Sequence, residues 1–206
     1  VVVDTGSVKE ETREYYRDIE RRFSNIKIID FIEEKFSYSN SCNKGAAESK
    51  GEYLLMLNND TEVITPDWIE RLIGHAQRED VGAVGCRLYY PNKWVQHAGV
   101  VLGLGAEHGG VAGHALHTHE RTADDFAEIF VESTRDVMAV TAACLMVSKK
   151  KYDEVGGFDP LLRVTFNDVD LCLKLTKSGY KSVYVPYVEL YHHESLSVGK
   201  GATRDS

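Results

Sequence analysis

The sequence lacks the features that mark several other classes of protein. No apolar run approaches the roughly 20 residues that a membrane-spanning helix needs, so none is predicted, while attachment to a membrane surface stays open. The net charge is −8 and there is no basic stripe. We expect no nucleic-acid partner, because binding nucleic acid needs clustered Lys and Arg. A nucleotide ligand stays compatible with this charge, because a bound metal neutralises phosphate locally.

Cysteine is also scarce. The sequence has four cysteines and no CxxC pair, so a structural zinc site is not expected. Three of the four lie in apolar segments, where a thiol behaves as a small hydrophobic group. We therefore expect reduced cysteines and a cytoplasmic location, at the inner face of the membrane if the protein attaches to one. The cysteines are Cys42, Cys86, Cys144 and Cys172.

The first part of the chain alternates between strand and helix patterns. Strands are predicted at 1–4, 26–31, 53–57 and 81–88, and helices at 9–22, 38–50 and 65–77. Ser7 and Thr65 are expected to cap the first and third helices. This order implies a parallel, doubly wound sheet with right-handed crossovers.

The alternation breaks at Tyr89. From there to about Asp125 the chain is rich in Gly and His, and we predict a long irregular excursion with a hairpin around 100–104. Beyond it we predict helices at 124–130, 149–155 and 167–178, and strands at 139–147, 181–186 and 187–191. The histidines of the excursion lack zinc-type spacing and are expected to be solvated; they are His97, His108, His114, His117 and His119.

The strand at 53–57 has the clearest functional signal. Its apolar run is unbroken, which is typical of a strand buried on both faces of a sheet, and it stops at Asn58-Asn59-Asp60. Ligands of open α/β sheets bind just outside the carboxyl ends of the strands. The oxygen-bearing side chains suit Mg²⁺ or Mn²⁺. The alternative is a polar turn in which Asn and Asp bond their own backbone.

Three other groups of residues could carry chemistry. Asp4 also ends a strand, and it could accept from a base or a ribose or simply form an Asx turn. Asp168 and Asp170 begin a helix about 200° apart, so one can pair or cap while the other faces a cleft. His192 and His193 are adjacent on a strand, so at most one of them faces a common site.

Together these stretches resemble glycosyltransferase family 2, whose members have the GT-A fold. The resemblance is carried by VVVDTGS, SCNKGAAESKGEYLLMLNNDTEV, VTAACLMV, VGGFDP, FNDVDLCLKL and LYHHESLS. The stretch QHAGVVLGLGAEHGG resembles a loop of bacterial members that build surface polysaccharide.

The resemblance implies an α/β fold with a mostly parallel sheet and helices on both faces. It implies a single domain over 1–206, with a nucleotide-binding half at 1–88 and an acceptor-side half at 89–206. The family's first strand, which normally precedes VVVD, has no counterpart here. An N-terminally truncated fragment is therefore expected.

Site roles follow from the resemblance residue by residue. Asp168 would be the catalytic base, and Asp60 and His192 would hold the metal, with His193 as second choice. The nucleotide-binding residues would be Asp4, Gly6, Ser7, Asn43, Asn58 and Asn59, with a mainly structural role for Asn43, and the acceptor-side residues Gly157, Phe158, Asp159 and His193. Asn58 replaces the first Asp of a strict DXD motif, and Asn167 stands where many members have Glu. Metal binding then depends mainly on Asp60. In the pair Asn167-Asp168, Asp168 is the only candidate for the catalytic base.

The implied activity is inverting transfer of a sugar from a nucleoside-diphosphate sugar to a hydroxyl of a glycan or lipid-linked acceptor. The resemblance adds a divalent cation, Mn²⁺ or Mg²⁺, and a place in bacterial polysaccharide, O-antigen or cell-wall biosynthesis. One alternative is a degenerate module that binds a glycan or a partner without turnover, which the asparagine substitutions support. Another is a sugar nucleotidyltransferase, which would need a glycine-rich, basic loop for a triphosphate near its amino terminus. No such loop is visible in this sequence.

Overall fold

A computed structural model of the protein describes residues 1–104, 110–115 and 125–193. The strands are β1 (Val2–Asp4), β2 (Ile28–Asp30), β3 (Tyr53–Leu57), β4 (Thr61–Val63), β5 (Val81–Tyr89), β6 (Val95–His97), β7 (Val100–Leu102), β8 (Ala112–His114), β9 (Arg135–Val137), β10 (Cys144–Ser148) and β11 (Lys181–His192). The helices are α1 (Glu10–Arg22), α2 (Tyr38–Glu48), α3 (Trp68–Ala76), α4 (Asp125–Glu132), α5 (Lys149–Glu154) and α6 (Asn167–Lys177).

The central sheet has seven strands in the order β3-β10-β5-β11-β4, with β6 beside β5 and β9 beside β11. All nine residues of β5 are buried, and β11 runs parallel to it. Strand β10 runs antiparallel to both β3 and β5. The α/β class is confirmed, but the seven-stranded sheet is mixed rather than mostly parallel: β4 and β9 run antiparallel to β11, and β6 runs antiparallel to β5. An apolar run indicates burial, but it carries no information on strand direction.

Helices cover both faces of this sheet, as predicted. On one face Leu72 and Ala76 of α3 pack with apolar residues of β5 and β11. On the other, Leu171 and Leu175 of α6 pack with Leu145 of β10. The four cysteines are free, and no helix of the described residues is long and apolar enough to cross a membrane.

Strands β1 and β2 form a separate two-stranded parallel sheet. Helix α2 connects it to the main sheet. Ala46 of α2 packs with Leu54 and Met56 of β3, while Gly45 faces β1. A Cβ added at Gly45 would lie 3.1 Å from Val3 Cγ2, so a small residue is needed where the helix crosses this strand.

Both predicted helix caps are wrong. Helix α1 begins after Lys9 without a side-chain cap, and α3 begins after Asp67, also without one. Ser7 instead donates its backbone N–H to Asp4, and Thr65 Oγ1 accepts from the Glu189 N–H at 2.9 Å. Each hydroxyl sits too early in the chain to reach its helix.

The excursion folds back onto the sheet. The predicted hairpin is present as β7 and β8, whereas β6, which pairs with β5, was not predicted. The expectation that His97 is solvated is wrong, because it is fully buried. Its Nδ1 lies 2.9 Å from His114 Nδ1, and its Nε2 accepts from the Thr141 N–H. Burial, with His114 and Arg135 nearby, holds the pKa of His97 well below its usual value. His108, His117 and His119 lie outside the described residues.

A buried arginine joins α4 to the sheet. The side chain of Arg87 on β5 is 2% exposed and donates to Glu132 at 2.8 Å and to the Val131 carbonyl at 2.9 Å. It also donates to Tyr89 and Glu189, at 3.0 and 3.3 Å. This network fixes the end of α4 against β5.

Arg87→Met should lower the free energy of unfolding by about 2–4 kcal/mol, because it removes the charge-assisted hydrogen bonds of a nearly buried guanidinium to Glu132 and Glu189. Urea denaturation measures the change. The control is Arg17→Met, whose pair with Glu10 is solvent-exposed, and it should leave the urea midpoint unchanged. Equal effects of the two substitutions would contradict the structural role of Arg87.

Candidate active site

The carboxyl end of β3 and the end of β11 meet at one edge of the sheet. Strand β11 pairs antiparallel with β4, with His192 opposite Thr61, which brings His192 beside Asp60. His192 Nε2 lies 3.2 Å from Asp60 Oδ1, and the two side chains are 13% and 12% exposed. The same Nε2 lies 3.1 Å from Asn58 Nδ2. Three predicted site residues are thus in direct contact.

The other members of these motifs point elsewhere. His193 Nε2 contacts Glu62 Oε2 at 3.2 Å, so the two adjacent histidines face different partners, as strand geometry predicts. Of the two candidates, His192 is therefore the one beside Asp60. Asn59 is exposed at the turn between β3 and β4. The Asn58 backbone is fixed by its N–H to Ala143 O and by Thr61 Oγ1 donating to its carbonyl.

The pair of Asp60 and His192 fits a divalent cation that also binds a substrate. Asp60 Oδ1 is buried and has no hydrogen-bond donor. Within the described ranges, no group of three His, Cys, Asp or Glu side chains could hold a metal by itself. Mg²⁺ sites of nucleotide enzymes use one or two carboxylates and complete their shell with substrate phosphates and water. Asp60 supplies one such carboxylate, and His192 adds an imidazole nitrogen, a ligand that suits transition metals.

Asp168 is fixed at the start of α6. Phe166, just before the helix, has φ +59°, and Asn167 Oδ1 accepts from the Asp168 N–H at 2.8 Å. Asp168 Oδ2 accepts from the Ala142 N–H at 3.1 Å, and Oδ1 accepts from the Val169 N–H at 2.8 Å. Asp170 points away and pairs with Lys174 at 2.9 Å.

The loop before β10 connects Asp168 to the metal-binding candidates. Ala142 donates to Asp168, and the next residue, Ala143, accepts from the backbone of Asn58. The structure thus brings Asp168 to the same sheet edge as Asp60 and His192. Their roles remain predictions.

Asp4 forms the Asx turn that was the alternative interpretation. Its Oδ1 accepts from the Gly6 and Ser7 N–H groups, both at 2.7 Å, and Gly6 has φ +117°, which favours glycine. Burial alone would raise the pKa of Asp4, but these hydrogen bonds and Arg13, 3.6 Å away, lower it below its usual value. Oδ2 is buried without a hydrogen-bond partner. Contact of Asp4, Gly6 and Ser7 with a nucleoside remains a prediction.

Asn43 holds the turn that follows α5. Its Nδ2 donates to the Phe158 carbonyl at 2.9 Å, and its Oδ1 accepts from Phe158 N–H and the Tyr152 hydroxyl, at 3.0 and 2.5 Å. Phe158 is fully buried, so its ring is not available to an acceptor. Asp159 Oδ1 accepts from the Leu161 N–H. The contacts of Asn43 are those of a structural residue, and a role for Gly157 and Asp159 at the acceptor remains a prediction.

Sequence reasoning missed one residue of this edge. Gln96 of β6 is 4% exposed, and its Oε1 lies 2.8 Å from His192 Nδ1. The sequence signal for Gln96 was a single polar side chain between Val95 and His97-Ala98. The segment is too short to show the alternation of a strand, so this signal did not indicate a buried position.

Two solved structures share this architecture. The structure of GalNAc-T7 with UDP, GalNAc and Mn²⁺ superposes with a TM-score of 0.68 at 16% identity, over 93% of this chain and 37% of that one. The mannosyltransferase PcManGT from Pyrobaculum calidifontis, in complex with GDP-Man and Mn²⁺, gives 0.59 at 16% identity, over 92% and 46%. At this identity the likeness defines the fold, and the protein has the GT-A fold.

The sequence defines the family. Residues 1–156 match glycosyl transferase family 2, and the chain belongs to this family. It is 43% identical over 202 residues to the Sinorhizobium fredii protein y4gI, covering 97% of this chain and 21% of that protein. It is 40% identical over 162 residues to the O-antigen biosynthesis protein RfbC of Myxococcus xanthus, covering 79% and 12%. The chain therefore spans about a fifth or less of the length of these relatives.

A weaker match concerns a shorter segment. Over 68 residues the chain is 41% identical to the N-acetylglucosaminyl-diphospho-decaprenol L-rhamnosyltransferase of Mycobacterium tuberculosis, covering 33% of this chain and 22% of that enzyme.

Gly157→Ala should destabilise the protein more than Gly156→Ala. Both glycines have positive φ, so both substitutions add backbone strain of about 1 kcal/mol. A Cβ at Gly157 would also lie 2.8 Å from Asn43 Oδ1 and from Tyr152 Cε1, whereas one at Gly156 has open space. Thermal unfolding of the two variants measures the difference. Equal melting temperatures would contradict the close contact of Gly157 with Asn43.

Proposed function

We propose that the protein is an inverting, metal-dependent glycosyltransferase. It moves a sugar from a nucleoside-diphosphate sugar to a hydroxyl of a glycan or lipid-linked acceptor, in the synthesis of a bacterial surface polysaccharide. The observation that carries this proposal is the contact of Asp60 with His192 at the sheet edge to which Asp168 is tied. Family membership supports glycosyl transfer, and the names of the Myxococcus and Mycobacterium relatives support the polysaccharide context.

Asp60 and His192 would hold the cation. A bound Mn²⁺ or Mg²⁺ supplies positive charge that stabilises the departing nucleoside diphosphate. The buried, donor-free Oδ1 of Asp60 and the adjacent Nε2 of His192 suit this task, because Oδ1 has no donor to give up and Nε2 would exchange only the neutral Asn58 amide for the metal. Two related folds with Mn²⁺ and a uridine or guanosine nucleotide support the choice of ligands.

Asp168 would be the general base. Each of its carboxylate oxygens accepts one backbone N–H, which fixes the orientation of the group and leaves lone pairs free to accept a proton. The acceptor hydroxyl gives its proton to Asp168 as its oxygen attacks the anomeric carbon. Attack opposite the leaving diphosphate in a single displacement inverts the anomeric configuration. Asp170, the other acidic residue in the first turn of α6, forms an ion pair with Lys174. Asp168 would therefore be the base at the start of this helix.

Asp60→Asn should remove metal-dependent nucleotide binding. Calorimetry with UDP, GDP and dTDP, with and without Mn²⁺, measures this. The expected loss exceeds the roughly 10–100-fold effect of removing an outer-shell partner of a metal.

The matched control for this experiment is Glu62→Gln, which alters the neighbouring carboxylate–histidine pair and should bind as the wild type does. If the wild-type chain binds none of the three nucleotides in a metal-dependent way, the binding-module alternative replaces the enzyme.

Asp168→Asn should abolish transfer and leave nucleotide binding intact. Turnover should fall by about 10²–10⁴-fold, the usual contribution of a general base. It is measured as nucleoside diphosphate released from sugar nucleotides in the presence of a lipid-linked or polysaccharide acceptor. Asp170→Asn, two residues along the same helix, is the control and should retain turnover. Wild-type turnover in Asp168→Asn would remove Asp168 as the base.

A further inference from the structure

Gln96 lies where the excursion returns to the active-site edge. It is the central residue of β6, which pairs antiparallel with β5, and only 4% of it is exposed. A buried amide needs hydrogen-bond partners, since leaving its donors and acceptor unpaired costs free energy. Both of its partners belong to one residue, His192.

These two contacts determine where the imidazole proton sits. The Gln96 amide faces the His192 backbone carbonyl, with Nε2 3.4 Å from that oxygen. A carbonyl oxygen can only accept, so the NH₂ group must face it, and the amide oxygen must face the ring. That oxygen, Oε1, lies 2.8 Å from His192 Nδ1. Nδ1 therefore carries the proton and donates it to Gln96.

In the neutral imidazole the opposite ring nitrogen, Nε2, then carries the lone pair. His192 Nε2 faces Asn58 Nδ2 at 3.1 Å, an amide group that can donate to such a lone pair. It also faces Asp60 Oδ1 at 3.2 Å, and that oxygen has no hydrogen-bond donor. In the neutral ring no proton lies between Nε2 and Oδ1, and a bound cation would satisfy Asp60 Oδ1 while taking the Nε2 lone pair in place of the Asn58 amide.

We propose that Gln96 is a positioning residue for the metal site: it holds the His192 ring in the tautomer and orientation that offer Nε2, together with Asp60, to a divalent cation. Histidines that bind metals generally donate their second ring N–H to a fixed acceptor, which sets the tautomer and raises the basicity of the ligating nitrogen. The proposal rests on the proposed function for the cation and on the described contacts for the tautomer. It also assigns a task to β6, which places Gln96 behind the ring.

The first test is long-range ¹H–¹⁵N NMR of the histidine rings in the metal-free chain at about pH 8.5, two units above the ordinary imidazole pKa. His192, assigned with His192→Ala, should show the Nδ1–H tautomer in the wild type. In Gln96→Met, a substitution that keeps the volume but removes the acceptor, the ring should change to Nε2–H and donate to Asp60. A wild-type Nε2–H tautomer would overturn the proposal without any variant.

The second test is Mn²⁺ affinity, measured by calorimetry in the presence of UDP, GDP or dTDP. Gln96→Met should bind Mn²⁺ about 10–100-fold more weakly than the wild type. Gln96→Glu keeps an acceptor at Nδ1, so it should keep the Nδ1–H tautomer and stay within about threefold of wild-type affinity. Gln77→Met, at the exposed end of α3, should behave as the wild type.

The outcomes separate the two proposals. If the wild type binds Mn²⁺ and Gln96→Met binds it equally well, or keeps the Nδ1–H tautomer, the role of Gln96 is overturned while the proposed function stands. If Gln96→Glu loses as much affinity as Gln96→Met, the acceptor facing Nδ1 is not what supports metal binding, and the proposal fails. If the wild type binds no Mn²⁺ with any of the three nucleotides, the proposed function fails, and the metal-positioning role fails with it.

Discussion

The sheet edge that carries the candidate site depends on how one strand, β11, pairs along its length. Strand β11 runs beside β5, but the register moves from Val185 opposite Cys86 to Glu189 opposite Arg87, which leaves an irregularity that begins at Pro186. Proline has no N–H to give to the ladder, and a bulge turns the strand. Beyond this point β11 also pairs with β4, which carries His192 to Asp60. Because of the bulge, the first part of β11 packs in the core and its last residues lie at the candidate site.

Much of the fold was predictable because long buried elements have a readable period. The unbroken run of β5 and the amphipathic α6 are both present close to their predicted bounds. Two strands were predicted around Pro186, and the structure has one strand with its bulge at that place. The strands β6 and β9, of three residues each, have too few positions to show alternation. The antiparallel direction of β10 between β3 and β5 could not be predicted, because tertiary contacts determine the direction in which strands pair.

The candidate site was predictable where a polar residue ends an apolar run. Asp60 and His192 follow that pattern, and they are in contact. Gln96 does not, because its importance comes from residues that lie 96 positions away in the chain. Asn43 was expected to have a mainly structural role, and its described side-chain contacts agree. Its partners, the turn at Phe158 and Tyr152, lie in the other predicted half of the chain and could not be read from the motif. Such roles follow from three-dimensional neighbours, and no local pattern encodes them.

The sequence separation of Asn58 and His192, 134 residues, has a consequence for the order of folding. During synthesis the amino-terminal strands emerge first, and closing a loop of this size costs entropy that local contacts do not repay. The Asp60 carboxylate is thus without its histidine until β11 docks as the last described strand. A local opening that detaches only the end of β11 from β4 would disperse the site and leave the β5 core buried. By linkage, any ligand that needs both residues stabilises that docked end. A ligand bound by both residues would therefore also protect the end of β11 against proteolysis.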